Sequence, residues 1–147
     1  MEESLTLLGQ IKRIFECGEK DIKGYSPLTL AYIGDAIYDL AVRTVVVGGA
    51  NRPAHQLHKR TVEYVKAGAQ SKMIQALLPH LTEVERDVYR RGRNAKPNAR
   101  SRNADYGDYL KATGFEALMG YLYLTGQEER MLCLIKKGMA LSGLAPL

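Results

Sequence analysis

The sequence predicts an all-α domain, and three features support that prediction. Apolar residues recur at helical spacing along most of the 147 residues, and strand-like alternation is rare. Capping residues and glycines stand where such helices would begin and end. With 46% hydrophobic and 25% charged residues, the composition is that of a globular domain. We expect one domain over residues 1–147, with its core at about 27–141, because no repeat or linker divides the chain.

Start and stop signals divide the first half of the chain into three or four helices. Ser26 followed by Pro27 is typical of an N-cap and a first helical position. The helix that begins there is expected to run to about Val47, before two glycines. A similar signal at 51–53 precedes one or two helices over 54–78. An amphipathic helix comes before all of these, with apolar residues at helical spacing: Leu5, Leu8, Ile11 and Phe15.

The second half carries the signals of three more helices. Thr82 with Glu85 predicts a capping box, and the helix that it opens is expected to stop at Gly92. A loop over 92–103 follows. The last two helices are bracketed by polar caps and glycines: Asn103 or Asp105 begins the first, Gly126 ends it, and the second covers about 128–141 before Gly143.

The positive charge of the chain is concentrated in one segment. The net charge is +5, yet residues 86–102 hold seven basic residues and one acid, while the rest holds 14 basic and 15 acidic residues. Such a patch indicates an anionic partner, and nucleic acid is the first candidate. The alternative is a solvated loop, which is the usual role of a charge run.

Cysteine usage and the chain start bear on the compartment. Cys17 and Cys133 have no paired spacing, which excludes a disulfide scaffold and a cysteine-rich zinc site. The acidic start lacks the signature of a signal or transit peptide, and no apolar run approaches the ~20 residues of a membrane span. We therefore expect a cytoplasmic protein without a membrane partner.

Two apolar segments each contain carboxylates that require an explanation. Asp35 and Asp39 are the only charges in residues 28–42, and Glu116 is the only one in residues 115–124. Glycines at 34, 114 and 120 suggest close helix packing. If the two segments cross, Asp35 and Glu116 meet and form a candidate site for Mg²⁺ or Mn²⁺, which prefer oxygen ligands. The alternative is a set of structural ion pairs with Arg43 or Lys111.

Both segments resemble motifs of the ribonuclease III family. Leu-Ala-Tyr-Ile-Gly-Asp-Ala-Ile-Tyr at 30–38 is similar to the family signature Leu-Glu-Phe-Leu-Gly-Asp-Ala. Thr-Gly-Phe-Glu-Ala-Leu-Met-Gly-Tyr-Leu-Tyr-Leu at 113–124 is similar to the second motif, Asp-x-Phe-Glu-Ala-Leu-x-Gly-Ala-x-Tyr-Leu. Arg-Gly-Arg-Asn-Ala-Lys at 91–96 and Ala-Gly-Ala-Gln-Ser at 67–71 resemble the Mini-ribonuclease III subfamily, which has the catalytic domain alone. Only 23 residues follow position 124, so no double-stranded-RNA-binding domain is expected.

The resemblance implies an endoribonuclease that dimerises, needs Mg²⁺ (with Mn²⁺ as a substitute) and cuts double-stranded RNA to 5′-phosphate and 3′-hydroxyl ends. For the short form it implies maturation of precursor 23S ribosomal RNA; whether a ribosomal protein takes part stays open. Asp35 and Glu116 would be the catalytic metal ligands. Beside them we place three supporting side chains: Asp39, Thr113 and Lys111. The expected RNA-binding residues are Arg91, Arg93, Asn94, Lys96, Arg100 and Arg102.

Two departures from the family pattern leave an alternative open. The family's acids four residues before Asp35 and three before Glu116 are here Ala31 and Thr113. Fewer carboxylates leave more of the Mg²⁺ shell to water and phosphate, which Mg²⁺ tolerates. The alternatives are a non-catalytic all-α dimer that binds ribosomal RNA or assists ribosome assembly, and a helical adaptor. For dimerisation, the candidate surface is the Asp35 helix with its neighbours Tyr32 and Ile33.

Overall fold

The computed structural model describes residues 6–95 and 105–147 of the chain. Within those ranges the chain is helical and contains no strand, as the sequence predicts. Two short 3₁₀ turns, Ile22–Gly24 and Leu78–His80, join helices. The α-helices are α1 (Leu7–Ile14), α2 (Pro27–Gly49), α3 (Ala54–Val65), α4 (Ala67–Leu77), α5 (Glu83–Asn94), α6 (Tyr106–Leu124) and α7 (Glu128–Leu141).

Polar caps fix the starts of three of these helices at the predicted residues. The Ser26 hydroxyl accepts from the amide of Thr29 at the start of α2. Thr82 and Glu85 form the predicted capping box of α5, and the Asp105 carboxylate accepts from Gly107 at the start of α6. Each cap satisfies an amide that has no partner inside the helix. No side chain caps the starts of α3, α4 and α7, so these helices depend on packing instead.

Helix α6 is the central element of the fold. It packs against α2, α4, α5 and α7, and its inward side chains Phe115, Leu118 and Leu122 have no solvent-exposed surface. The Phe115 ring meets the Tyr38 ring of α2 edge to face, with the centroids 5.1 Å apart. Burial on several sides explains why the sequence of α6 is apolar almost all round.

Glycines let α2 and α6 come into backbone contact. A Cβ atom on Gly34 would lie 1.7 Å from the carbonyl oxygen of Glu116, and one on Gly120 would lie 2.0 Å from the carbonyl oxygen of Leu30. Neither distance is possible for a real side chain, so only glycine fits at these two positions. The expected close crossing of the two motif segments is therefore present.

Three predicted helix bounds need correction or completion. The prediction that Gly92 ends its helix is wrong, since α5 continues to Asn94. A Cβ atom on Gly92 would lie 2.7 Å from the Cβ of Ala117, so this glycine serves the contact with α6 and not a helix end. Helix α2 runs through the two glycines to residue 49. The region 54–78 forms two helices, which meet at the extended Lys66.

Candidate active site

Two carboxylates lie together where α2 crosses α6. Asp35 follows the contact glycine Gly34 on α2, and the backbone of Glu116 on α6 is what that glycine touches. The Asp35 side chain is exposed and that of Glu116 is largely buried. The two carboxyl groups are close enough for a hydrogen bond between them. The structure thus brings together the two residues that the motifs single out.

The electrostatics of this pair are unfavourable for two negative charges. Burial raises the pKa of the Glu116 carboxyl to about 8, and the charge of Asp35 and a hydrogen bond with it act in the same direction. A hydrogen bond from Gln70 acts in the opposite direction. A buried acid beside a second acid binds either a proton or a cation. This pair therefore favours the binding of a proton or a cation where the two helices cross.

Gln70 completes the immediate surroundings of Glu116. Its Nε2 donates to Oε2 of Glu116 at 3.3 Å and to the carbonyl oxygen of Val65, the last residue of α3, at 2.8 Å. The side chain is 2% exposed. In the sequence, residues 67–71 stand out only as a segment that resembles the short subfamily, and no role is predicted for Gln70. An uncharged residue without helical periodicity of its own offers no sequence signal for such a contact.

The side chains predicted beside the pair have contacts of their own. Asp39 forms an ion pair with Arg43, with Nε and Oδ2 2.7 Å apart, so the structural alternative holds for this carboxylate. The Thr113 hydroxyl donates to the carbonyl oxygen of Tyr109 one turn earlier. Lys111 is half-buried on α6. Ala31 is buried against Ala117 in a small apolar cluster, so no acid stands there to enlarge the site.

The basic segment, residues 86–102, passes the turn of α6 that carries Glu116. Gly92 of α5 lies against the backbone of α6 at Thr113 and Gly114. The Arg93 guanidinium lies over the Tyr89 ring, 5.8 Å from its centroid. Arg91 and Asn94 are exposed at the same end of α5. The other three predicted RNA-binding residues, Lys96, Arg100 and Arg102, lie outside the described residues.

The donor set of the site fits a hard divalent cation. Both groups are carboxylates, and oxygen is the ligand atom that Mg²⁺ and Mn²⁺ prefer. In the part of the chain that the structure describes, no cluster of three or more histidine, cysteine, aspartate or glutamate side chains is arranged for a metal. A cation on Asp35 and Glu116 would take its remaining ligands from water and substrate, as Mg²⁺ commonly does.

Comparisons with known proteins identify the family of the chain. The profile of the Ribonuclease III domain matches residues 28–127, which include both motif segments and the residues between them. The chain belongs to the ribonuclease III family. Members of this family are endoribonucleases that act on double-stranded RNA and generally depend on divalent metal ions, which the oxygen donors at the crossing suit.

Individual relatives match most of this chain. A Mini-ribonuclease 3 from Thermoanaerobacter is 44% identical over 131 residues, which is 89% of this chain and 91% of the relative. One from Symbiobacterium thermophilum is 50% identical over 105 residues, 71% of this chain and 81% of the relative. A crystal structure of a Fusobacterium nucleatum protein superposes with a TM-score of 0.75 at 30% identity and covers 83% of this chain and 98% of its own. The predicted subfamily resemblance is therefore confirmed.

Among the described residues, no helix combines the length and the apolar character that a membrane crossing requires.

Proposed function

We propose that this family member cleaves the double-stranded stem of precursor 23S ribosomal RNA in the cytoplasm, with Asp35 and Glu116 as its catalytic metal ligands. The observation that carries the proposal is the pair of carboxylates held together by the crossing of α2 and α6. An uncompensated pair of this kind destabilises a fold, and a bound Mg²⁺ or Mn²⁺ would compensate it.

The two carboxylates have different roles because Glu116 is largely buried and Asp35 is exposed. Glu116 is held by burial and by Gln70, so it gives the site a fixed anchor. Asp35 is exposed and faces the solvent from which a phosphodiester arrives. Mg²⁺ bound by both would polarise the scissile phosphate and lower the pKa of a water molecule. In the overall hydrolysis, water adds to phosphorus, the bond from phosphorus to O3′ breaks, and O3′ takes a proton, which leaves 5′-phosphate and 3′-hydroxyl ends.

Supporting roles follow from the surroundings of the pair. The Asp39–Arg43 ion pair lies one turn beyond Asp35 on α2, and Arg43 balances the negative charge of Asp39 there. Thr113 keeps the turn before Glu116 closed through its bond to Tyr109. Lys111, two residues earlier on α6, is the nearest lysine in sequence to Glu116 and is our candidate for contact with a phosphate.

RNA binding is assigned to the basic segment. A-form RNA is recognised mainly through its phosphates and 2′-hydroxyls, and Arg91, Arg93 and Asn94 lie at the end of α5 that contacts the Glu116 turn. Lys96, Arg100 and Arg102 extend the same segment in sequence. The charge of this segment then holds the duplex beside the carboxylates.

A homodimer matches the symmetry of the substrate. Each subunit has one carboxylate pair, and two such pairs related by a two-fold axis would cut both strands of a duplex. The exposure of Tyr32 supports this assembly, since it is 80% exposed on the helix that carries Asp35, and Leu40 on the same helix is 48% exposed. Ile33, the other residue predicted for this surface, packs against the core instead. Exposed large apolar side chains on one helix are typical of a surface that pairs.

The test is cleavage of a duplex RNA of about two helical turns by the wild type and by Asp35→Asn and Glu116→Gln. We expect cutting of both strands in Mg²⁺, none in EDTA, and a loss of at least about a hundredfold in each variant. A matched control is Asp21→Asn, an exposed aspartate at a 3₁₀ turn, which should cut normally.

Two other outcomes would change the assignment. Near-normal cutting by both folded variants would refute the roles of Asp35 and Glu116. Tight duplex binding without cutting by the wild type, on model duplex and on precursor 23S ribosomal RNA alike, would favour the non-catalytic alternative and make Ala31 and Thr113 the sign of a lost activity.

A further inference from the structure

Gln70 is a buried amide that touches the candidate site and that the metal ligands alone do not explain. It lies in the first part of α4 and is 2% exposed. Its Nε2 has two acceptors, whereas its Oε1 is buried without a hydrogen-bond partner among the described residues. A buried polar atom without a partner typically costs about 1–3 kcal/mol. An apolar side chain would avoid that cost. The hydrogen bonds that the N–H groups donate must therefore be the reason for an amide at this position.

Its two acceptors fix the orientation of the Gln70 amide. The carbonyl oxygen of Val65 can only accept a hydrogen bond, and the Glu116 carboxylate also only accepts once a bound cation keeps it ionised. Reversing the amide would place Oε1 against both acceptors and lose both bonds. The N–H groups therefore face Glu116 and Val65, and the side chain connects the end of α3 to the carboxylate on α6.

We propose that Gln70 is a positioning residue that holds the Glu116 carboxylate in the orientation required for cation binding. This inference rests on the proposed function of Asp35 and Glu116. With Ala31 and Thr113 at two of the family's acidic positions, the cation depends on the carboxylates of Asp35 and Glu116 among the described residues, so the orientation of each matters more. By holding Oε2 of Glu116, Gln70 leaves the other carboxylate oxygen free for the cation and reduces the rotamer freedom that binding would otherwise remove.

The experiment measures metal binding without RNA or catalysis. Gln70→Met keeps the length of the side chain and removes the donor. Titration with Mn²⁺, followed by electron paramagnetic resonance of the free ion, should show a dissociation constant about 10- to 100-fold higher than in the wild type, the usual effect of losing a group that orients a metal ligand. Gln75→Met is the matched control, because Gln75 is exposed on the same helix and donates to the Ser71 hydroxyl. It should bind Mn²⁺ as the wild type does.

A cleavage series separates positioning from a general loss of structure. In Gln70→Met the Mg²⁺ concentration for half-maximal cutting should rise by the same factor as the Mn²⁺ dissociation constant. The rate at saturating Mg²⁺ should stay within about threefold of the wild-type rate, because the occupied site has the same ligands. A lower rate that Mg²⁺ does not restore would overturn the proposal, as would wild-type Mn²⁺ affinity in folded Gln70→Met.

A measurement on the wild type covers the case in which Gln70→Met does not fold. The side-chain amide resonances of Gln70, followed by NMR during a Mg²⁺ titration, should shift with the same half-saturation as metal binding. Unchanged resonances would refute the proposal. Asp35→Asn and Glu116→Gln distinguish the two levels of inference: if they also keep wild-type Mn²⁺ affinity, the metal site itself is wrong. If only Gln70→Met keeps that affinity, the role of Gln70 alone is wrong.

Discussion

Replacing Glu116 by glutamine should stabilise the metal-free protein and abolish its stabilisation by Mg²⁺. The pKa of Glu116 rises from an ordinary value of 4.5 to about 8 in the folded chain. The folded state therefore favours the protonated form. The stability that the protonated Glu116 contributes is fully present below pH 4.5 and is lost as the pH rises through 8. Glutamine is neutral throughout, so Glu116→Gln removes this pH dependence.

The size of the effect follows from proton linkage. For a carboxyl that titrates near 4.5 when unfolded and near 8 when folded, the free energy of unfolding falls by about 3 kcal/mol between pH 5 and pH 8. In a chain of this length that corresponds to roughly 10 °C in Tm. The difference in unfolding free energy between Glu116→Gln and the wild type should grow by this amount over the same interval.

The assay is urea unfolding followed by far-UV circular dichroism in EDTA, at several pH values from about 5 to 8. Glu63→Gln, which changes an exposed glutamate on α3, should follow the wild-type profile. Saturating Mg²⁺ at about pH 8 should stabilise the wild type and leave Glu116→Gln unchanged. A difference between Glu116→Gln and wild type that stays constant within about 0.5 kcal/mol over this range would refute the raised pKa and with it the unfavourable carboxylate pair.

Three further predictions concern packing, RNA binding and assembly. Gly34→Ala should destabilise the fold by at least about 3 kcal/mol in urea unfolding, since its Cβ would meet the Glu116 backbone, whereas Gly48→Ala, with open space at its Cβ, should not. Arg93→Ala should flatten the slope of log affinity for duplex RNA against log salt by about 0.8, by analogy with DNA phosphate contacts, and an unchanged slope removes Arg93 from the RNA surface. Tyr32→Asp should convert a micromolar dimer to monomer in analytical ultracentrifugation; a persisting dimer would place the interface elsewhere.

Local interactions explain which parts of the fold the sequence predicts well. Ser26, Thr82 and Asp105 cap helices through amides only two or three residues away, so their pattern is visible in the chain itself. Gly126 and Gly143 have positive φ angles of 74° and 78°, which makes each of them a helix stop in its own right. Such signals need no knowledge of the tertiary structure.

Contacts between distant segments explain what the sequence leaves out. A glycine that ends a helix and one that admits a neighbouring helix look alike in a sequence, and Gly92 is of the second kind. Gln70 meets Glu116 across 46 positions, and no periodicity records that contact. The pairing of Asp35 with Glu116 is foreseeable because Gly34 and Gly120 mark the crossing on both helices.

The same crossing that creates the unfavourable carboxylate pair also holds it in place. Gly34 and Gly120 bring the two backbones into contact, so the helix positions that carry the carboxylates cannot separate unless the helices do. A pKa raised from 4.5 to about 8 corresponds to about 5 kcal/mol against the ionised form. Phe115, Leu118 and Leu122 lie on the same helix as Glu116 and have no exposed surface, and burial of each contributes about 1.5–3 kcal/mol. Helix separation would therefore lose at least about as much as it gains, so under the proposed function cation binding is the favourable way to ionise Glu116.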